Sequence, residues 1–157
     1  MSFPQPGTPA PDFTLIADDG SVFRLSDQRG YPVVIFFYPE DDTGGCTIEN
    51  QEFSDLTPQF EQLGARLVGI SPDTVASHVR FRDKYGLKPR LLADPDHLAI
   101  GPYGIWQLKK LYGREFMGVV RTTFIIDAEG RVADVTRATR IKGHAQRTLD
   151  KLTSLLH

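Results

Sequence analysis

Cysteine is nearly absent from this sequence: it occurs once, as Cys46, in a chain of 157 residues. A single thiol cannot form a disulfide within its own chain, so the sequence excludes a secreted domain held together by disulfide bridges. It also excludes a dithiol oxidoreductase, because no Cys-x-x-Cys pair is present.

Long apolar runs and excess charge of one sign are also missing. The longest apolar run covers residues 33–38, far short of the roughly 20 residues that a membrane-spanning helix requires. The N-terminus has neither the charged nor the apolar region of a secretory signal. A formal net charge of −2 without a basic run argues against nucleic-acid or membrane partners. We therefore expect a cytoplasmic protein, in a compartment where thiols stay reduced.

Motifs for metals and cofactors are absent too. The four histidines, His78, His97, His144 and His157, are scattered without the spacing of metal ligands. Solvated or capping roles are expected for them. Neither a P-loop nor a dinucleotide fingerprint occurs, so the sequence predicts no metal and no cofactor.

The apolar pattern predicts one α/β domain covering residues 1–157. Strands are predicted at residues 13–16, 22–25, 33–38, 66–70, 90–93, 119–127 and 132–136. Helices are predicted at residues 46–64, from N-cap Ser71 to about 85, briefly after 94–96, and at 144–155. The first two strands form an N-terminal β-hairpin around residues 18–20.

This order of elements predicts a mixed central β-sheet with helices on both faces. A β-α-β unit followed by a β-β-α unit is the thioredoxin-type arrangement. Periodicity alone does not distinguish a thioredoxin-like fold from other α/β sandwiches.

Cys46 stands in the first turn of a predicted helix, after a buried strand and a polar, glycine-rich loop. Unpaired backbone N–H groups and the positive end of the helix dipole stabilise a thiolate at such a place. A lone cysteine can also serve as a small buried apolar residue, but this location favours a reactive thiol.

Around Cys46 the sequence resembles the peroxiredoxins. Their pattern Pro-x-x-x-Thr/Ser-x-x-Cys is matched here by Pro39, Thr43 and Cys46, and Arg121 supplies the arginine that completes the family site. Residues 103–110 and 112–118 look like the Q-type subfamily, also called bacterioferritin comigratory proteins. The resemblance extends from residue 10 to the last helix.

The resemblance implies that the Cys46 thiolate attacks a hydroperoxide and becomes a sulfenic acid. Thr43 would donate a hydrogen bond to the peroxide or steady the sulfur. Arg121 would favour the thiolate and the charge that develops as the O–O bond breaks. Backbone N–H groups of Gly45 and Cys46 would add donors, and Glu49 would orient Arg121. Hydroperoxide is thus the implied substrate.

Each supporting residue also has a purely structural alternative. Pro39, which would shield the pocket from water, could simply end a strand, and Thr43 could be only an N-cap. Arg121 could be an exposed strand residue, and Glu49 a solvated acid in the first helical turn.

The loop before Cys46 has two unfavourable features. Glu40, Asp41 and Asp42 would oppose a thiolate if they were close, but we expect them to be exposed and screened by solvent. Gly44 stands where the usual Q-type sequence has proline, which loosens the loop.

Many Q-type members carry a resolving cysteine five residues after the reactive one, where this chain has Gln51. The sulfenic acid must then be reduced by an external thiol, for which thioredoxin, glutaredoxin and glutathione are the candidates. We expect a monomer or a weak dimer. A redox-sensing or chaperone-like protein that uses the same cysteine is an alternative, as is an inactive interaction module, which the intact site disfavours.

Overall fold

The computed structural model describes residues 3–157. Its strands are β1 Thr14–Ala17, β2 Val22–Arg24, β3 Val33–Phe37, β4 Arg66–Ser71, β5 Arg90–Ala93, β6 Trp106–Leu111, β7 Arg114–Val119, β8 Thr122–Ile126 and β9 Val132–Arg137. Its α-helices are α1 Gly44–Gln62, α2 Val75–Tyr85 and α3 His144–Leu155, and a 3-10 helix spans Leu25–Gln28.

The central sheet has seven strands in the order β2-β1-β5-β4-β3-β8-β9. Strands β3, β4 and β5 are parallel, while β8 pairs with β3 in the antiparallel sense. The predicted mixed sheet and the N-terminal hairpin of β1 and β2 are therefore confirmed. Strand β3 lies inside the sheet and is buried along its whole length, which explains why its sequence is continuously apolar.

The two faces of β3 belong to two separate apolar clusters. Val34 and Phe36 pack with core residues of all three α-helices on one face. Ile35 and Phe37 pack on the other face with the N-terminal segment and with residues 99–105. The α-helices predicted on both faces of the sheet therefore all pack on one face.

The short helix predicted after residues 94–96 is wrong, because turns occupy residues 95–104. The buried carboxylate of Asp94 accepts the backbone N–H groups of Leu98, Ala99 and Ile100 at 2.6–3.0 Å. Asp94 thus caps the N–H groups at the start of a single turn, which the Gly101 N–H closes on the carbonyl of His97. Pro102 has no N–H and prevents a regular helix from continuing.

The bounds of two other elements also differ from the prediction. Helix α2 begins after Thr74, whose hydroxyl accepts the Ser77 N–H, rather than after Ser71. Ser71 ends β4, and its hydroxyl bonds to Asp73. The strand predicted at residues 119–127 is divided, because β7 ends at Val119 and β8 begins at Thr122.

The separate two-stranded sheet of β6 and β7 was not predicted. Its turn is formed by Tyr112 and Gly113, which both have positive φ angles, the conformation that favours a tight hairpin. Most of its side chains are exposed or half-buried, so its sequence shows little hydrophobic alternation. None of the helices in residues 3–157 combines the length and the apolar character that crossing a bilayer would need.

Candidate active site

Cys46 lies in the first turn of α1, just beyond the carboxyl end of β3. As the third residue of the helix it is surrounded by N–H groups that have no carbonyl partner within the helix. Its side chain is enclosed, with the residue only 1% exposed. Cys46 thus lies at a helix start, as expected, but its side chain is buried. A reactant therefore has little direct access to the sulfur.

Arg121 contacts this sulfur directly. Its Nη2 donates to Cys46 Sγ at 3.2 Å, and its Nη1 donates to Glu49 Oε1 at 2.7 Å. The sheet explains this placement, because Thr122 pairs with Phe37, the last residue of β3. Arg121 therefore lies at the end of the sheet where α1 begins. The guanidinium thus places a fixed cation in contact with the sulfur.

Glu49 lies one helical turn after Cys46, on the same side of α1. Its Oε1 accepts from Arg121, while its buried Oε2 has no hydrogen-bond partner within residues 3–157. Burial raises the pKa of Glu49 to about 7, although the charge of Arg121 opposes this shift. Glu49 therefore orients Arg121, but burying the ionised carboxylate costs free energy.

His144, the first residue of α3, approaches this pair from the other side. Its Nε2 lies 4.0 Å from Glu49 Oε2 and is bonded to the hydroxyl of Thr123 at 2.8 Å. Burial lowers the pKa of His144 to about 4, with smaller contributions from Arg147 and Arg121. The ring is buried, contrary to the predicted solvated or capping role.

Close packing, rather than its backbone angles, favours glycine at position 45. A Cβ atom at this position would lie 2.6 Å from Cδ1 of Ile141 and 3.4 Å from Nη2 of Arg121. Any side chain would displace one or both neighbours. The absence of a side chain thus leaves room for Ile141 and for the guanidinium of Arg121 beside the catalytic turn.

Pro39 and Thr43 frame the loop that precedes α1. Pro39 is half-buried and follows Tyr38, whose N–H makes the last bond to β4 at Ile70. Thr43 occupies the N-cap position, but its hydroxyl makes no capping bond and donates to the carbonyl of Glu40 at 2.9 Å. Donation to a peroxide would require this hydroxyl to rotate, so the predicted roles of both residues stay predictions.

The expectation that the acidic residues before Cys46 are exposed is wrong for Asp41. This buried carboxylate accepts the hydroxyls of Tyr38 at 2.7 Å and Ser77 at 2.8 Å, and its Oδ2 lies 2.7 Å from Nδ1 of His78. His78 is fully buried, and its Nε2 is bonded to the carbonyl of Leu92. The solvated role predicted for His78 is therefore also wrong.

Asp42 is exposed, as expected, but it is also paired. Its carboxylate accepts from Lys84 Nζ and from the Tyr85 hydroxyl, each at 2.8 Å. The hydrogen bonds from Lys84 and Tyr85 lower the pKa of Asp42. Together Asp41 and Asp42 fasten the loop to α2, and both negative charges have partners other than Cys46.

In residues 3–157, one group of side chains has the proximity of metal ligands: Asp41, Asp73 and His78, with ligand atoms within 4.8 Å of one another. Hydrogen bonds already connect this group internally. Asp73 Oδ2 accepts both the backbone N–H of Asp41 and the hydroxyl of Ser71. These contacts explain the clustering without an ion, so the geometry favours an anchor for the loop.

Comparison with known proteins was consistent across sequence and structure. The AhpC/TSA family model matches residues 6–135. The chain is 40% identical to peroxiredoxin Bcp of Bacillus subtilis over 149 residues, or 95% of each protein. It is 42% identical to the putative peroxiredoxin bcp of Helicobacter pylori strain 26695 over 146 residues, covering 93% of this chain and 96% of the relative.

Solved structures give the same result. Peroxiredoxin Q of Xanthomonas campestris superposes with a TM-score of 0.87 at 34% identity, covering 92% of both chains. A PrxQ structure from Xylella fastidiosa gives a TM-score of 0.93 at 31% identity over the full length of both chains. These likenesses confirm the predicted thioredoxin-like fold.

Proposed function

Since the chain belongs to the AhpC/TSA family and is a peroxiredoxin, a thiol-dependent peroxidase, we propose that it works with Cys46 alone and is recycled by a thiol from outside the chain. The observation that carries this proposal is the 3.2 Å contact between Arg121 Nη2 and the sulfur of the only cysteine. A peroxidatic thiolate needs such a cation, and a single-cysteine cycle needs a second thiol.

In the first step the Cys46 thiolate attacks one oxygen of the hydroperoxide. A sulfur–oxygen bond forms, the O–O bond breaks, and the other oxygen leaves as hydroxide or alkoxide, which takes up a proton. The sulfur is oxidised by two electrons to sulfenic acid, and the peroxide is reduced. Arg121 stabilises the negative charge as it moves from sulfur to the leaving oxygen.

We assign supporting roles in this step to the residues around the thiol. Glu49 fixes the orientation of Arg121 through the 2.7 Å bond. Gly45 leaves space for the guanidinium and offers a backbone N–H, as does Cys46 itself. Thr43 steadies the peroxide after its hydroxyl rotates, and Pro39 shields the thiol from water.

In the second step an external thiol attacks the Cys46 sulfenic acid, giving a mixed disulfide and water. A second thiol then releases the Cys46 thiol and a disulfide of the reductant. Gln51 stands where many relatives have a resolving cysteine, and the burial of Cys46 opposes a bridge to the same residue of another chain. Thioredoxin, glutaredoxin and glutathione remain the candidate reductants, and the cycle fits a cytoplasmic monomer or weak dimer.

Intact-mass spectrometry after one equivalent of hydrogen peroxide tests the single-cysteine cycle. We expect a monomer heavier by ~16 mass units, one oxygen on Cys46, and recovery of the original mass after thiol is added. Cys46→Ser is the matched control and should gain no reversible oxygen. A quantitative covalent dimer would contradict the proposal, and an unmodified chain would indicate an inactive interaction module.

A further inference from the structure

The segment between Asp134 and Asp150 contains cations but no Asp or Glu. Its charged side chains are all exposed: Arg137, Arg140, Lys142 and Arg147. They are spaced rather than consecutive, so the sequence shows no basic run. The chain as a whole carries a formal charge of −2, which makes this local excess of positive charge unusual within the molecule.

This segment folds over the catalytic turn. Ile141 approaches so closely that its Cδ1 would lie 2.6 Å from a Cβ atom on Gly45. The Gly143 N–H donates to Glu52 of α1 at 2.9 Å, and the Ala138 N–H donates to the carbonyl of Arg121 at 2.9 Å. Arg140 and Lys142 flank Ile141 in the chain, so their backbones lie beside the turn that holds Cys46.

Lys109 of β6 adds a further cation on the hairpin side of the site. It is half-buried, and its Nζ donates to the carbonyl of Val119 at 2.9 Å. Burial lowers the pKa of Lys109, and the charges of Arg121 and Arg137 lower it further, whereas Cys46 opposes the shift. Lys109 is thus close enough to Arg121, Arg137 and Cys46 to feel their charges.

We name Lys109, Arg137, Arg140 and Lys142 the basic rim. The buried or paired carboxylates around Cys46 do not offset it, because Asp41 is bonded to His78, Asp42 to Lys84 and Glu49 to Arg121. Glu52 accepts the N–H of Gly143 in the same segment and keeps its negative charge, so it offsets the rim in part. The four rim cations and Arg121 still outnumber Glu40, Glu49 and Glu52, so the surface around the catalytic turn has an excess of positive charge. Hydrogen peroxide, a neutral molecule, does not need this excess.

We propose that the basic rim recruits the reductant, and that this reductant is a small thiol carrying carboxylate groups. The inference deepens the proposed function and rests on it. A small molecule fits better than a protein, because Cys46 is 1% exposed, with Arg121 against its sulfur and Ile141 against the neighbouring Gly45. Charge of one sign along an entrance raises the rate at which an oppositely charged reactant arrives, by 10- to 1,000-fold in favourable cases.

The small thiol reduces the Cys46 sulfenic acid by the second step of the proposed cycle. The thiolate of the anionic thiol attacks the Cys46 sulfur, a sulfur–sulfur bond forms, and the sulfenic oxygen leaves as water after protonation. A second molecule of the same thiol breaks the mixed disulfide. The carboxylates of the reductant remain on the rim and take no part in the bond changes.

The test compares three small thiols as reductants of preformed Cys46 sulfenic acid: mercaptosuccinate (anionic), 2-mercaptoethanol (neutral) and cysteamine (cationic). Each single-turnover rate constant is measured for the wild type and for the double variant Arg140→Glu/Lys142→Glu. The matched control is Lys88→Glu/Arg90→Glu, which makes the same charge change with exposed residues at the start of β5. Since β5 is parallel to β4 and β4 to β3, that start lies at the opposite edge of the sheet from Cys46.

We expect the rim variant to slow mercaptosuccinate by about 10-fold or more relative to its effect on 2-mercaptoethanol, and to accelerate cysteamine. The ratio of variant to wild type cancels the intrinsic reactivity of each thiol. Equal changes for all three thiols, or the same pattern in the control variant, would overturn the inference. Reduction by thioredoxin but by none of the small thiols would overturn it as well.

Oxidation of Cys46 is measured first, by the mass gain described above. A chain that gains no oxygen contradicts the proposed peroxidase cycle itself. A chain that is oxidised normally but shows no dependence on thiol charge contradicts only the recruitment by the basic rim.

Discussion

Two regions next to Cys46 each bury a carboxylate, and they hold it in different ways. The loop before α1 buries Asp41, which is bonded to Tyr38, Ser77 and His78. The first turns of α1 bury Glu49, which has the single partner Arg121 and an oxygen without a partner in residues 3–157. The first carboxylate is fully paired and the second is not.

This difference distinguishes a carboxylate that anchors a loop, Asp41, from one that supports the reaction, Glu49. A fully bonded polar network fixes one arrangement of its members, and the Asp41 network fixes the loop that leads into the catalytic turn. A buried carboxylate with a free oxygen and a perturbed pKa costs stability, and such groups concentrate at functional sites. We therefore expect changes at Asp41 to affect folding most, and changes around Glu49 to affect the reaction.

The largest effect is expected from Asp41→Ala, which breaks the fully paired region. The substitution leaves two hydroxyls and a buried ring nitrogen without their acceptor, and each such group costs about 1–3 kcal/mol. We expect the free energy of unfolding to fall by about 3–5 kcal/mol, the scale for breaking a buried pair. Urea denaturation followed by circular dichroism measures it.

Asp55→Ala is the matched control, because Asp55 is exposed on α1. It should change the free energy of unfolding by no more than about 0.5 kcal/mol. If both variants were equally stable, the Asp41 network could not be the anchor that holds the loop.

The next effect is expected from Arg121→Ala, which removes the one hydrogen-bond partner that Glu49 has among residues 3–157 and the cation at Cys46. The rate constant for Cys46 oxidation by peroxide should fall by on the order of 100-fold or more, the scale for losing one preorganised electrostatic donor. Stopped-flow measurement with hydrogen peroxide gives this rate. Arg82→Ala, at an ion pair with Asp18, is the control, and near wild-type oxidation in a folded Arg121 variant would refute the assignment.

The Glu49→Gln variant tests the incompletely paired carboxylate through the pH dependence of the free energy of unfolding. Because the pKa of Glu49 rises from 4.5 to about 7 on folding, the folded state binds more protons between these values. The wild type therefore loses stability as the pH rises from 4.5 to 7, and carries the full cost above pH 7. Glutamine does not titrate, so the variant lacks this pH-dependent loss in the free energy of unfolding, which amounts to at most about 3 kcal/mol.

Denaturation curves at pH 4.5 and pH 8 measure this difference between the variant and the wild type. Glu61→Gln, at an exposed position of α1, should follow the wild type at both pH values. The same slope in Glu49→Gln and the wild type would show that burial of this carboxylate has no cost.

How much of this site was predictable depended on whether its contacts are local in sequence. The buried strand, the cysteine in the first helical turn and the arginine of a later strand all carry local patterns or match a family motif. The bond between Asp41 and His78 spans 37 residues and carries no such pattern. The β6–β7 hairpin and the turns around Asp94 have local contacts and were missed for a different reason, because exposure in the hairpin and a side-chain acceptor in the turns replaced the usual apolar periodicity.

The smallest effect is expected from Gly44→Pro, at the helix start between the two regions. The position accepts proline without strain: its φ angle is not positive, a Cβ would contact nothing within 4 Å, and the preceding Thr43 is extended at φ −110° and ψ 156°. Proline restricts the unfolded chain, so we expect about 0.4–1 kcal/mol of added stability. For a chain of this size that raises the melting temperature by about 1–4 °C.

The same variant tests whether the loose helix start serves the second half of the cycle. If α1 must open at its first turn for a thiol to reach Cys46, proline should slow reduction of the sulfenic acid while leaving oxidation by peroxide unchanged. Gly44→Ala is the control, because it adds a side chain without fixing φ. A lower melting temperature would contradict the structural argument, and equal slowing of both steps would mean that Gly44 sets the geometry of the thiol rather than access to it.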